Sequence, residues 1–231
     1  MGSLIRTDLS LFEDRIDEIT SKTNYSEVKD TISMLKNELH KNKDLVCLCA
    51  PQINKKLRIF VVKNSDNKYK AFLNPMIVNA SKELHLSREA NASIPNKEFI
   101  IPRKNEVHVA YQQPNGRVES ETYSGAYSEV IQQMIEMLDG ITLLDYGLDL
   151  DSVGGPKKFD KATKKDKQTV IEMYLDNLKN LSKDFEDEIN NNEELKNLND
   201  TIKFQTKLLT GEIKPIDSDG NIIENYSPKG E

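Results

Sequence analysis

Cysteine and histidine are scarce in this chain of 231 residues, which holds two of the first and three of the second. Cys47 and Cys49 stand one residue apart, a spacing that seldom closes a disulfide. They read as two small buried side chains in a reducing, cytoplasmic compartment. His40 falls at a helix end, His85 in a polar loop region and His108 on a hairpin, so the sequence offers no histidine cluster for a metal. An excess of positive charge is also missing. The formal net charge is -6, which argues against a general affinity for nucleic acid or for anionic membranes. No run approaches the roughly 20 apolar residues of a membrane span. Met1 to Ser10 carries neither a long apolar stretch nor a cleavage site, so no secretory signal is expected. Arg6 stands where N-myristoylation requires Ser or Thr. A glycine-rich phosphate loop and a serine nucleophile elbow are absent from the sequence too. What is present, 37% hydrophobic and 30% charged residues, suffices for a globular core of ordinary size.

Leu9, Phe12, Ile16 and Ile19 step by three and four, which predicts an amphipathic helix capped by Asp8. A second helix is predicted from Ser26, as its cap, to His40, with Val28, Ile32, Leu35 and Leu39 on one face. The middle of the chain predicts strands: Leu57 to Val62, a turn at Asn64 to Asn67, and a return over Tyr69 to Leu73. Val107 to Tyr111 and Val118 to Tyr123 alternate on either side of Pro114-Asn115-Gly116 and predict a hairpin. Ser128 to Leu138 is apolar on nearly every side, so this helix belongs at the centre of a fold. Gly140 ends it. Gly154-Gly155-Pro156 is a breaker. It divides a domain over 1–153 from an extension over 154–231. In the extension Ile171, Tyr174, Leu178, Leu181 and Phe185 form one apolar series, and Leu195, Leu198, Ile202 and Leu209 form another. The two are out of phase across Asn190-Asn191-Asn192, which predicts two helices or one helix with a phase slip. Asp217 to Gly220, between short apolar runs, predicts a closing hairpin.

Three separated segments carry a resemblance. Leu45 to Gln52 reads LVCLCAPQ, Glu89 to Pro95 reads EANASIP, and Gln132 to Gly140 reads QQMIEMLDG. In order, spacing and continuation they resemble the Gly-x-Gly-Leu-Ala-Ala-Pro-Gln, Glu-Gly-Cys-Leu-Ser and Gln-His-Glu-x-x-His-Leu-x-Gly motifs of peptide deformylases. The connectors FLNPMIV (Phe72 to Val78) and IPR (Ile101 to Arg103) are similar as well. The resemblance covers roughly the first 150 residues and implies an α+β peptide-deformylase-like domain, a central helix among antiparallel strands, with the C-terminal helical extension appended.

The resemblance also implies a metal held by one Cys and two His, with a Glu moving the proton of a bound water. Here Asn91 stands at the Cys position, Gln133 and Met137 at the two His positions, and Met134 at the Glu position. Neutral amides are weak ligands and a thioether prefers soft ions. Met134 offers no site for a proton. Leu45 and Cys47 replace glycines and fill space near the cleft. Gln52, Glu89 and Ser93 persist and are expected to anchor loops. Glu136 and Asp139 are expected to be surface charges on an exposed helix edge.

From these replacements the chain is expected to hold no metal and no cofactor, and to lie outside the enzymes. It reads as a pseudoenzyme: a non-catalytic structural or assembly protein on a deformylase fold, in a larger complex such as a phage virion or tail. The expected location is the bacterial cytoplasm or the virion. Partners are expected to be other proteins of the assembly, including copies of itself, and neither nucleic acid nor membrane. The candidate partner-binding residues are Ile171, Leu178, Leu181, Phe185, Leu195, Leu198, Ile202 and Leu209. The alternative is a non-hydrolytic module that binds N-terminal methionyl peptides in the vestigial cleft.

Overall fold

The computed structural model describes residues 3–64, 66–152 and 154–186, with side chains as far as Asp176. A five-stranded antiparallel sheet forms the centre, in the order β1 (Cys47–Cys49), β2 (Ile59–Lys63), β3 (Tyr69–Ala80), β6 (Glu106–Gln112) and β7 (Val118–Ser124). A second sheet joins β4 (Leu84–Asn91), β5 (Ile94–Lys104) and β8 (Leu148–Asp149). Helix α1 (Tyr25–Lys41) covers one face of the large sheet and α2 (Ala126–Leu138) the other.

This arrangement explains why β2 reads as an unbroken apolar run. Ile59 and Val61 pack with Val28, Ile32, Leu35 and Leu39 of α1. Phe60 and Val62, one residue out of phase, pack with Ile131, Met134 and Ile135 of α2. Alternation on a strand buried on both faces leaves no polar position. Phe60 and Phe72 stack at 4.4 Å between ring centroids, which locks β2 and β3 under α2. By contrast β7 is an edge strand, and its residues alternate between exposed and half-buried.

Helix α2 is buried over most of its length, as its sequence predicts. Gly140, at φ +82°, ends it, and a Cβ there would meet the Asp14 carbonyl carbon at 3.0 Å. Two other expectations change. Residues 9–19 are not one helix: a 3-10 turn over Leu9–Phe12, capped by Asp8, gives way to irregular chain. Phe12, Ile16 and Ile19 are still buried. The Ile16 N–H donates to the Leu138 carbonyl and the Ile19 N–H to Asn74 Oδ1, so those groups bond neighbouring elements rather than a helix. Helix α1 begins two positions earlier than expected: its cap is Asn24 rather than Ser26, and Asn24 Oδ1 accepts from the Ser26 N–H.

Beyond the short helix α3 (Leu143–Tyr146), Gly155 precedes α4 (Pro156–Lys161), and α5 (Lys164–Glu186) follows. Helix α5 packs against β4, where Tyr174 contacts Leu84 and Tyr146. The second predicted helix of the extension and its closing hairpin lie outside the described residues. No helix among the described residues is long and apolar enough to cross a membrane.

Candidate functional site

Strand β4 and helix α2 meet along a polar seam. On α2, Glu129, Gln133 and Met137 recur every four residues and so share one side of the helix. On β4, His85, Glu89 and Asn91 contact that side. Asn91 stands at the middle. Its Oδ1 accepts from the Ser93 N–H at 2.8 Å, an Asx turn that carries the chain from β4 into β5. Its Nδ2 donates to Gln133 Oε1 at 2.9 Å and to Met137 Sδ at 3.0 Å. Gln52, in the 3-10 turn Ala50–Ile53 after β1, closes the third side. Its Nε2 donates to Asn91 Oδ1 and to Ser93 Oγ, each at 3.3 Å, and its Oε1 accepts from the Cys49 N–H at 3.0 Å. Three motifs far apart in sequence are thus joined by one set of side-chain amides, all of them buried.

A charged layer lies beneath. Gln133 Nε2 donates to Glu89 Oε2 at 2.8 Å. Glu89 takes both prongs of the Arg103 guanidinium, at 2.6 and 2.8 Å, and Arg103 also donates to Glu136 at 2.5 Å. Tyr146 donates its hydroxyl to Glu136. Arg103 is 1% exposed. Burial works against its charge, but the Glu136 and Glu89 carboxylates outweigh burial and raise its pKa well above the ordinary value. At the outer end of the seam His85 bridges Asn105 Oδ1 and Glu129 Oε1, each at 2.6 Å. The bond to Glu129 raises the His85 pKa. The Cys47 thiol is pushed up to about 12 by burial and by nearby Glu89, and Cys49 rises further, mainly through burial.

Of the expected site residues, Gln52, Asn91, Gln133 and Met137 come together here. Met134 does not: it is buried in the apolar core against the large sheet. Glu136 and Asp139 are not surface charges. Glu136 is 3% exposed and paired with Arg103, and Asp139 pairs with buried Arg58 at 2.7 Å. A charge on a helix apolar on nearly every side requires a buried partner, which is the signal that marks Glu136. His85 lies on β4 rather than in a loop. Ile171, expected to face another chain, is buried within this one, 4% exposed, one turn from Tyr174. Leu178, Leu181 and Phe185 lie on α5 beyond the described side chains, and Leu195, Leu198, Ile202 and Leu209 lie outside the described residues.

The donor set at the centre does not suit a divalent ion of the kind the motifs imply. At the three ligand positions stand two neutral amides and a thioether. The Asn91 N–H donor points at the other two, where a cation needs lone pairs. Among the described residues no group of three or more His, Cys, Asp or Glu is placed to hold a metal. A separate groove of about 430 Å³, between the N-terminal half of α2 and the large sheet, is lined by Val62, Lys70, Phe72, Tyr123, Tyr127 and others and includes none of the motif residues.

The sequence profile of the family described as Polypeptide deformylase matches residues 7–152. The chain is 33% identical to the peptide deformylase of Pseudothermotoga lettingae over 117 residues, covering 50% of this chain and 67% of that one. It is 37% identical to the peptide deformylase of Treponema pallidum over 100 residues, 43% of this chain and 61% of that one. Among solved structures, the peptide deformylase of Thermotoga maritima superposes with a TM-score of 0.55 at 27% identity, over 61% of this chain and 94% of that one. These relatives are named as enzymes, and that overturns the expectation that placed the chain outside the enzymes. With the two sheets and the buried central helix in place and residues 7–152 matched, the chain belongs to the polypeptide deformylase family.

Proposed function

We propose that this member of the deformylase family serves as a structural or assembly protein in a larger protein complex, with α5 as its docking helix. A phage virion or tail is one such complex. The supporting observation is the stripe on α5. Ile171 and Tyr174 seat the helix on its own domain. The same three-and-four spacing continues through Leu178, Leu181 and Phe185 as the helix runs on to Glu186, about 18 Å past Tyr174 at the rise of an ideal helix. Burying a Leu or Phe contributes about 1.5–3 kcal/mol, so three more large apolar residues in this spacing favour a protein partner along the helix. The test is the mass of the native chain isolated with whatever it holds, beside a Leu178→Asp, Leu181→Asp variant. The expected result is a mass well above the 26.4 kDa monomer, lost in the variant. Monomers in both would refute the reading.

A second reading rests on the name of the relatives and on Gln52 and Glu89, which keep their motif positions. In it the β4–α2 region receives formyl-methionyl or methionyl peptide ends. Formate release and peptide binding are measured on the same preparation. Either signal, abolished by Gln52→Ala, favours this reading over assembly.

A further inference from the structure

We propose that the Asn91 side-chain amide replaces a metal ion as the cross-link at the centre of this fold, so that the protein folds and keeps its stability without divalent metal. In the motif pattern, one ion ties the β4 position to two positions on α2. Here the same three positions are tied directly: Asn91 to Gln133 at 2.9 Å and to Met137 at 3.0 Å. Asn91 also adds a bond to a third element, because its Oδ1 accepts from Gln52 Nε2 in the turn after β1. Asn suits this position for two further reasons. Its Oδ1 makes the Asx turn onto the Ser93 N–H, and its amide carries both donor and acceptor, so one side chain serves partners of opposite kind. Gln133 is oriented from the other side by Glu89, which Arg103 holds.

A metal would have to displace this set of bonds to enter. The Gln133 Oε1 and Met137 Sδ acceptors both face the Asn91 N–H donors, and the Asn91 Oδ1 faces two protein donors. Their replacement would desolvate a dication for the sake of two neutral amides and a thioether. The cross-link also differs in kind from a metal: it has no dependence on chelators, and its bonds involve no group that titrates near neutrality.

The experiment is thermal unfolding of the full chain in EDTA, and in excess Zn²⁺ or Ni²⁺, for three proteins. For the unaltered chain the expected Tm is the same in all conditions. Asn91→Leu, close in size but without the amide, is expected to lower Tm by several degrees in every condition, because Gln133 and the Ser93 N–H lose a buried partner. Asn91→Cys with Gln133→His and Met137→His is expected to become metal-responsive, with Tm raised by Zn²⁺ and lowered by EDTA. A fall in Tm of the unaltered chain in EDTA, or a rise with Zn²⁺ or Ni²⁺, overturns the proposal. So does an unchanged Tm for Asn91→Leu. These readings concern stability alone, so they are separable from the mass measurements that test the assembly reading.

Discussion

Replacing Arg103 by methionine removes the cation that pairs with both Glu89 and Glu136, two buried carboxylates. Methionine keeps the unbranched stem but ends about two bonds short of the guanidinium, so the lost charge is the larger effect and a small void adds to it. Breaking a buried pair by removing one partner costs about 3–5 kcal/mol, because the other charge is left uncompensated. Here two carboxylates are left, with Gln133 Nε2 still donating to Glu89 and the Tyr146 hydroxyl still donating to Glu136. Whole domains are stable by only about 5–15 kcal/mol, so Arg103→Met should remain folded with a thin margin. At an m value of about 2 kcal/mol/M in urea, the midpoint should fall by about 1.5–2.5 M. The companion variant, Arg103→Met with Glu89→Gln and Glu136→Gln, removes all three charges and keeps an acceptor for Gln133. It should recover more than half of the loss, since a neutral buried set avoids the uncompensated charge. Urea unfolding followed by circular dichroism measures both. The reasoning fails if Arg103→Met loses less than about 1 kcal/mol, or if the triple variant is less stable than the single one.

Three further outcomes follow from the same contacts. Glu129 raises the His85 pKa, and His85 lowers that of Glu129. The His85 contribution is complete below its ordinary value of 6.5 and fades as pH rises through the raised one; the Glu129 contribution is complete above 4.5 and fades as pH falls through the lowered one. The pair is about one-third exposed, so His85→Gln should cost about 1 kcal/mol or less, with the Tm difference largest near pH 5.5 and smaller near pH 8.5. The buried Cys49 thiol, and to a lesser degree the half-buried Cys47 thiol, should react with a disulfide reagent at pH 8 more slowly in the native chain than after unfolding, because burial raises both pKa values and withholds the thiolate; equal rates for Cys49 would contradict its placement. The Tyr174 hydroxyl is buried with no hydrogen-bond partner among the described residues, so Tyr174→Phe should leave Tm unchanged or slightly higher, whereas Tyr174→Ala should lower it by emptying the contact with Tyr146.

Much of the fold is legible in local pattern. Residues 128–138 are apolar on nearly every side because α2 is enclosed, and Leu57 to Val62 lacks polar positions because β2 is covered on both faces. The irregular course of residues 13–19 is not legible, because the bonds that keep it from coiling run to Leu138 and Asn74, far away in sequence. The site divides in the same way. The motif order brings Gln52, Asn91, Gln133 and Met137 together correctly, since each motif marks where its element enters the seam. The charged layer escaped detection. Arg103 sits in an apolar run, and its need for Glu89 and Glu136 follows only once β5 is placed beside β4 and under α2. Exposure assigned from residue type alone fails for Glu136 and Asp139 because a buried cation, Arg103 or Arg58, is present for each.

The position of α2 is over-determined, and that bears on how the centre of the site came to tolerate replacement. At its C-terminus Arg58 donates to the Leu138 carbonyl at 3.0 Å and pairs with Asp139, capping the helix where its last carbonyls lack partners. In its middle Glu136 is held by Arg103 and Tyr146. Nearer its N-terminus the side chains of Ser128 and Gln132 both donate to the Lys104 carbonyl, and Gln132 Oε1 accepts the Lys104 N–H, so the end of β5 is bonded to the helix as well as paired with β4. Its apolar residues fill the face of the large sheet. Apart from Met137, which also packs in that apolar cluster, these contacts do not pass through the altered positions Asn91 and Gln133. The proposed exchange of a metal for amide bonds would therefore change the chemistry of one point on the helix without releasing the helix.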